Sequence, residues 1–327
     1  MRGKLIKEKF FILFFFFFFI FFYGKGYGRQ NSEKKLPNHG YAPVNSCEKC
    51  HSVKWKSFVL SPHGISANSK TPAARHGCQS CHGPSLVHVL TRGKYYDKTM
   101  ILFSKSTPPE KINKVCLKCH SGGKVALWEG SVHQTHDLAC TNCHNVHKVS
   151  SSFMNPYLLA KSSIPSTCFQ CHKNIRIDFL KFSHHPLRTG KSGTGLVCTQ
   201  CHNPHGTFTS HLITANSINQ LCWKCHPAKR GPFLWEHPPE EEDCLNCHVP
   251  HGSSHRNLLV MEEPFLCQRC HDEIGPHHDT KVFFLNTSQA GETPYQGLPV
   301  FGLYHGCTNC HREIHGSNSP SGITFLR

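Results

Sequence analysis

The segment "CTNCHNVH", residues 140–147, contains two cysteines three positions apart, a histidine directly after the second cysteine, and another histidine three residues later. At the C-x-x-C-H spacing, two thiols can form thioethers to the vinyl groups of one haem while the adjacent histidine lies under the iron. One iron cannot easily take both His144 and His147, because both lie on the same side of one short turn. We therefore expect His147 to reach the iron of a neighbouring haem, its partner within a pair of motifs.

The same motif accounts for every cysteine in the chain. It occurs ten times in 327 residues and uses each of the 20 cysteines once. Disulfides need no adjacent histidine, and zinc sites do not need one directly after the second cysteine, so both alternatives predict a looser pattern. The sequence therefore predicts ten covalently bound haem c groups.

We number the motifs 1 to 10 in chain order and group them into odd–even pairs. The predicted thioether cysteines are Cys47, Cys50, Cys78, Cys81, Cys116, Cys119, Cys140, Cys143, Cys168, Cys171, Cys198, Cys201, Cys222, Cys225, Cys244, Cys247, Cys267, Cys270, Cys307 and Cys310. The predicted proximal iron ligands are His51, His82, His120, His144, His172, His202, His226, His248, His271 and His311.

Histidine is also the predicted second ligand of each iron. The chain has 28 histidines but only 4 methionines, one of them Met1, so methionine cannot be the general second ligand. Two histidines hold haem iron at a lower potential than histidine and methionine do. An internal period supports this ligation, because each even motif has a histidine just downstream and each pair has another between its two motifs.

These two sets supply one predicted distal ligand per haem. The downstream histidines are His88, His147, His205, His251 and His315, and the intermediate histidines are His63, His133, His185, His237 and His278. Neighbours that compete for the intermediate roles are His76, His136, His184, His277 and His305. The plain alternative for any of them is a propionate partner or a surface residue. His39, His211 and His255 are predicted to be bystanders.

The N-terminus has the pattern of a secretory signal peptide. Four basic residues precede an apolar run from Phe10 to Tyr23, which is shorter than the roughly 20 residues that span a bilayer. We predict a signal peptide over residues 1–26, although no A-x-A site marks the cleavage point, and an uncleaved anchor is the alternative. The chain is therefore expected to be exported.

The rest of the chain is predicted to form one decahaem cytochrome domain, residues 27–327. It is expected to consist of five paired units: 47–88, 116–147, 168–205, 222–251 and 267–315. About 30 residues per haem leave little room for large regular elements or an apolar core. The predicted fold class is a multihaem cytochrome c, mostly irregular with short α-helices, almost no sheet and an elongated haem chain.

The formal charge of +16 would ordinarily suggest an acidic partner such as nucleic acid. Ten haems, however, bring about twenty propionate charges, which more than offset that charge. The basic residues are therefore expected to neutralise propionates, and no nucleic-acid partner is predicted.

Three further segments resemble the DmsE/MtrA-type family of periplasmic decahaem c-type cytochromes. They are Leu234–His255, Phe265–His271 and "CTNCHREIHGSNSPSG" at Cys307–Gly322. The resemblance implies an elongated chain of bis-histidine haems, held in the periplasm in association with the outer membrane. It also implies an outer-membrane β-barrel porin and extracellular or periplasmic multihaem cytochromes as partners, with an inner-membrane quinol-oxidising cytochrome as electron donor.

An electron conduit for extracellular respiration is the leading functional prediction, and no enzymatic activity is expected. One alternative is a soluble periplasmic electron shuttle. The other is a multihaem reductase of small nitrogen or sulfur compounds, which would need an iron with an open axial position. Such sites often carry an altered motif such as C-x-x-C-K, and this sequence contains none.

Overall fold

The computed structural model describes residues 40–147, 157–188, 194–271 and 306–326. The predicted signal peptide lies outside these ranges, as do His39, His277, His278 and His305. None of the helices in the described part combines the length and apolar character needed to cross a membrane.

The described chain folds into short helices joined by irregular segments. The α-helices are α1 (Ser52–Val59), α2 (Gln79–His82), α3 (Leu86–Leu90), α4 (Pro109–Leu117), α5 (Val132–Thr135), α6 (Cys140–Cys143), α7 (Ile164–Cys168), α8 (Lys173–Asp178), α9 (Ile218–Trp223), α10 (Pro238–Glu242) and α11 (Phe265–Gln268). The 3₁₀ turns are Val44–Cys47, Pro62–Gly64, Gly123–Val125, Cys198–Gln200, Ser210–Leu212, Pro227–Lys229, Cys244–Asn246, Arg256–Leu258, Cys307–Asn309 and Gly322–Thr324.

Among the described residues the longest α-helix is α4, with 9 residues, and local sequence explains where it begins. Pro109 stands in its first turn, where proline needs no backbone hydrogen bond and its fixed φ suits the helix. Glu110 in the same turn complements the positive end of the helix dipole. The helix ends inside motif 3, so its role is to deliver Cys116 to the haem site.

Strand pairing is confined to isolated bridges within the described ranges. Three of them recur at the same place in successive even motifs: His144–Leu159, His202–Ile213 and His248–Leu259. Each closes a return loop, in which the chain leaves an even motif and comes back beside its histidine. The predicted fold class, short helices with almost no sheet, is confirmed.

The described residues bury few apolar side chains. The buried set is small and scattered along the chain: Ala42, Phe58, Val87, Ile112, Val115, Trp128, Ala139, Leu158, Ile213 and Leu259. Large apolar residues such as Phe208 and Leu180 are exposed at 94% and 77%. A polypeptide with so little internal apolar packing needs another source of stabilisation, and the predicted haems would supply it.

Candidate haem-binding sites

Every C-x-x-C-H motif closes one tight turn. In all ten, the backbone N–H of the histidine donates to the backbone carbonyl of the first cysteine at 2.9–3.0 Å. This turn places both cysteines and the histidine on one side of a short segment. The geometry is the one that covalent haem attachment requires.

Within each pair, the first cysteines of the two motifs are in hydrogen-bonding contact. The five contacts are Cys47–Cys78, Cys116–Cys140, Cys168–Cys198, Cys222–Cys244 and Cys267–Cys307. The shared hydrogen bond lowers the pKa of Cys47 to about 7 and raises that of Cys78, because one sulfur of the pair keeps the proton. Thioether formation would remove both titrations, so the lasting consequence is the closeness of the two attachment points.

Between pairs, the second cysteines of consecutive motifs are neighbours. Burial, and then the nearby thiol of Cys119, raises the pKa of Cys81. The equivalent neighbours are Cys143 and Cys171, Cys201 and Cys225, and Cys247 and Cys270. First-cysteine and second-cysteine contacts therefore alternate, and the motifs follow one another in space in the order of the sequence.

Nine of the ten motif histidines face a second histidine. The facing pairs are His51–His88, His63–His120, His82–His147, His133–His172, His144–His205, His185–His226, His202–His251, His237–His271 and His248–His315. Each pair joins one predicted proximal ligand to one predicted distal ligand. The structure thus places nine of the ten predicted proximal histidines opposite a predicted distal histidine.

The separation of the paired rings fits one metal ion between them. An imidazole nitrogen lies about 2.0–2.1 Å from a first-row metal such as zinc, and ring bonds of about 1.33 Å place the centroid about 1.1 Å behind that nitrogen. Two rings on opposite sides of one ion then have centroids about 6.3 Å apart. The observed separations of 5.9–6.4 Å lie around this value.

The partner expected for His147 was wrong. His147 turns away from His144, as expected, but it faces His82 of motif 2 and not His120 of its own pair. His120 instead faces His63, which lies before motif 2. The reason is the path of the chain: motif 3 lies next to motif 2, and the segment after motif 4 folds back to motif 2.

The facing pairs follow two rules. Intermediate histidines reach forward to the odd motif of the next pair, as His133 reaches His172. Downstream histidines reach back to the even motif of the preceding pair, as His205 reaches His144. His88 is the exception, because it has no earlier pair and faces His51 of its own.

Even-motif histidines are oriented by backbone carbonyls. The ring Nδ1 of each donates to a carbonyl further along the chain: His82 to Ile101 at 3.0 Å, His144 to Tyr157 at 2.7 Å, His202 to His211 at 2.7 Å, His248 to Asn257 at 2.8 Å and His311 to Thr324 at 2.5 Å. A proton held on Nδ1 leaves Nε2 as the free, metal-binding nitrogen. Sequence inspection missed these acceptors because any residue type supplies a carbonyl.

The surroundings of two predicted distal histidines, His147 and His315, favour the neutral imidazole. Burial, helped by neighbouring His82, lowers the pKa of His147 to about 4. Burial also lowers the pKa of His315 to about 4, with smaller contributions from Lys229 and His248. Neutral imidazole is the form that binds metals, so both rings are in the ligating state at neutral pH.

The competing histidines that the structure describes have other partners. His76 stacks on Tyr41 with ring centroids 3.9 Å apart. The Nδ1 of His136 bonds to the carbonyl of Val132 at 2.7 Å, and that of His184 to the carbonyl of His185 at 2.9 Å. His255, a predicted bystander, pairs with Glu262 at 3.2 Å. The candidates for the partner of His311, His277, His278 and His305, lie outside the described ranges.

Glycines after the downstream histidines let consecutive pairs approach closely. A Cβ at Gly206 would collide with the carbonyl of Leu127, and a Cβ at Gly252 would collide with the carbonyl of Asp178. Gly206 also has a φ of +122°, which favours glycine. The repeated Pro-His-Gly at 204–206 and 250–252 was a visible signal for this close crossing.

Comparisons with known proteins match this chain to c-type cytochromes. A family model for a doubled CXXCH motif matches residues 184–231 and 237–275, and a model for an NrfB-like c-type cytochrome protein matches residues 78–164. The chain is 38% identical over 304 residues to "Multiheme cytochrome MtrA" of Shewanella baltica (strain OS185), covering 90% of this chain and 85% of that protein. The doubled-motif matches join motif 6 to 7 and motif 8 to 9, one motif out of phase with the predicted units.

Proposed function

Because the chain belongs to the MtrA family of multihaem c-type cytochromes, we propose that it conducts electrons along ten haems through the outer membrane, inside a porin, for extracellular respiration. Electron transfer by several haems is the established part of this function. The decahaem count, the outer-membrane location and the conduit are the proposed part. The same proposal includes three kinds of partner. They are an outer-membrane porin, extracellular or periplasmic multihaem cytochromes, and an inner-membrane quinol-oxidising cytochrome as electron donor.

The observation that carries the proposal is the set of nine facing histidine pairs. Each pair would supply two ligands to one iron, so this chain offers two histidines at nine of the proposed haem sites. A reductase needs one open axial position for its substrate. The histidine pairs therefore favour electron transfer over substrate reduction.

The roles of the residues follow from their chemistry. The haem iron supplies one-electron reduction and oxidation, and bis-histidine ligation holds its potential below that of histidine–methionine sites. The cysteines fix each group to the chain by two thioethers. The carbonyl-bound motif histidines keep the tautomer that leaves Nε2 for the iron. With both ligands supplied by the protein, a change in the oxidation state of the iron would require little rearrangement of the chain.

The order of the motifs in space supports a continuous route. First cysteines share a hydrogen bond within a pair, and second cysteines of consecutive motifs lie near enough to affect each other electrostatically from motif 2 to motif 9. A membrane with its headgroups is about 40–45 Å thick. The proposal therefore requires the attachment sites to extend along one direction over about that distance.

Haem counting and membrane reconstitution test the proposal. Mass spectrometry of the exported protein is expected to show ten attached haems and the loss of residues near 1–26. The protein is expected to co-purify with a β-barrel porin from outer membranes and, with that porin, to carry electrons across sealed vesicles. Ten low-spin haems with no porin and no transfer across vesicles would favour the soluble shuttle. A substantial high-spin fraction would favour the reductase.

A further inference from the structure

One buried polar side chain joins the two motif segments of pair 2. Asn113 on α4 is 5% exposed and lies three residues before Cys116. Its Oδ1 accepts from the N–H of Cys140 at 2.8 Å, and its Nδ2 donates to the carbonyl of Leu138 at 2.9 Å. The amide therefore ties the helix that carries motif 3 to the peptide that enters motif 4.

Pair 4 repeats this arrangement. Asn219 on α9 is 4% exposed and lies three residues before Cys222. Its Oδ1 accepts from the N–H of Cys244 at 2.8 Å, and its Nδ2 donates to the carbonyls of Glu240 and Glu241 at 2.8 and 2.9 Å. The residue type, its offset from the motif and the N–H it binds are the same as in pair 2.

In pairs 1 and 5, other side chains also join the two motif segments, although they do not bind the N–H of a first cysteine. Gln79, 3% exposed, exchanges hydrogen bonds with the backbone of Ala42 at 2.8 and 2.7 Å. The carboxylate of Glu263 accepts from the N–H of Thr308 at 3.0 Å. Pair 3 has the fully buried Pro165 at the asparagine position, and in its described part no side chain makes an equivalent bond.

We propose that Asn113 and Asn219 are positioning residues that set the separation of the two haems in pairs 2 and 4. The inference rests on the proposed haem attachment at these motifs. Each amide holds the backbone of one first cysteine against the helix that presents the other. The Cys116 and Cys140 thiols are in contact, as are those of Cys222 and Cys244. Fixing these two attachment points fixes the two haem edges that electrons must cross between.

The physical case rests on burial. A buried amide that loses its partners costs more than its bonds contribute, so both partners stay in register with it. The asparagine side chain is short and has few rotamers, which makes the distance it imposes narrow. A protein can tune cofactor spacing in this way without touching the cofactor.

Magnetic coupling between the paired haems tests the proposal on the full-length, haem-loaded protein. Asn113→Ala removes both bonds, and Asn113→Leu removes them while keeping the volume. Both variants are expected to retain all haems and their low-spin state. Electron paramagnetic resonance should show two haem equivalents losing the spin–spin interaction of the oxidised pair. Asn68→Ala is the control, because Asn68 lies outside every motif and its side chain accepts a local bond from the N–H of Lys70 at 3.0 Å.

Unchanged spin–spin coupling in an Asn113 variant that keeps all its haems would overturn the proposal. Loss of coupling in Asn113→Ala but not in Asn113→Leu would also overturn it, because the effect would then come from packing. Asn219→Leu repeats the test in pair 4, so a variant that fails to fold does not decide the result. A haem missing from motif 3 or 4 of the unmodified protein would instead contradict the proposed function, and mass spectrometry separates the two failures.

Discussion

The segments around even and odd motifs hold their histidines in different ways. An even motif is followed by a return loop, whose carbonyl binds the Nδ1 of the motif histidine, as Tyr157 binds His144. In three odd sites, the anchored ring is the partner of the motif histidine: the Nδ1 of His133 bonds to Pro204 at 2.7 Å and that of His185 to Pro250 at 2.8 Å, and His237 bonds to the backbone of Ile314. In seven of the nine facing pairs, a backbone group further along the chain orients one of the two rings, and it binds either the motif histidine or its partner.

The largest expected effect comes from exchanging the two kinds of distal histidine for alanine. His147→Ala should make the haem at Cys78 and Cys81 high-spin, and His133→Ala should do the same to the haem at Cys168 and Cys171. Each variant loses one axial ligand at one iron, so one haem equivalent changes. Magnetic circular dichroism combined with site-resolved haem assignment measures this. A change at the haem of Cys140 and Cys143 in His147→Ala would contradict the backward rule.

A smaller effect, on stability, is expected where the segment after an even motif crosses the preceding pair of motifs. Gly252→Val should lower the free energy of unfolding by about 1–3 kcal/mol, the usual cost of forcing extra atoms into a packed site. The new side chain would meet the carbonyl of Asp178 and displace the loop that carries His251. Denaturant unfolding followed by haem absorbance measures the loss. Gly122→Ala is the control, because a Cβ there meets no atom within 4 Å, and an equal loss in that variant would rule out the crossing as the cause.

The return loops store a little strain that substitution can release. His211 has a φ of 55° and its carbonyl anchors His202. A left-handed residue other than glycine costs about 1–2 kcal/mol, and glycine loses about 0.5–1 kcal/mol in chain entropy, so His211→Gly should stabilise the protein by up to about 1.5 kcal/mol. Thermal unfolding tests this, with the His202 haem spectrum unchanged. Asn257→Gly, at the equivalent position, should change less, because asparagine tolerates this conformation. A destabilised His211→Gly would show that the side chain matters.

The smallest effect is expected at a histidine outside the facing pairs. His255 is half-exposed and pairs with Glu262 across the surface of the same even segment. Surface pairs contribute about 0–1 kcal/mol, so His255→Gln should shift unfolding within that range and leave every haem spectrum unchanged. Appearance of a high-spin haem would make His255 a ligand and would break the distinction between paired and unpaired histidines.

The chemistry of the site was more accessible to sequence inspection than its connectivity. The cysteine and proximal histidine positions depend on covalent spacing within five residues, so a local pattern contains them. The candidate distal histidines, such as His63 and His205, followed from the scarcity of methionine and the alternation of the motifs. The short helices followed from the small number of residues available per haem.

The remaining features depend on the path of the backbone in space. That His147 faces His82, 65 positions earlier, cannot be read from a one-dimensional period. The sequence likewise does not predict that the carbonyl of Asn257 binds His248 or that Asn113 binds the N–H of Cys140, because an asparagine has no pattern that marks either role. All of these contacts depend on which segments cross in space, and the crossings depend on how consecutive pairs of motifs pack against each other.

The forward and backward pairing of histidines also sets the order in which the two ligands of a site are synthesised. In a chain that leaves the export machinery from its N-terminus, the histidine for an odd site such as motif 5 has already emerged when the motif appears. The histidine for an even site such as motif 6 emerges only later, as His251 does after His202. Even sites would therefore pass through a half-liganded stage during synthesis. A chain cut short after residue 251 would leave its last even site in that stage, because the partner of His248 is His315.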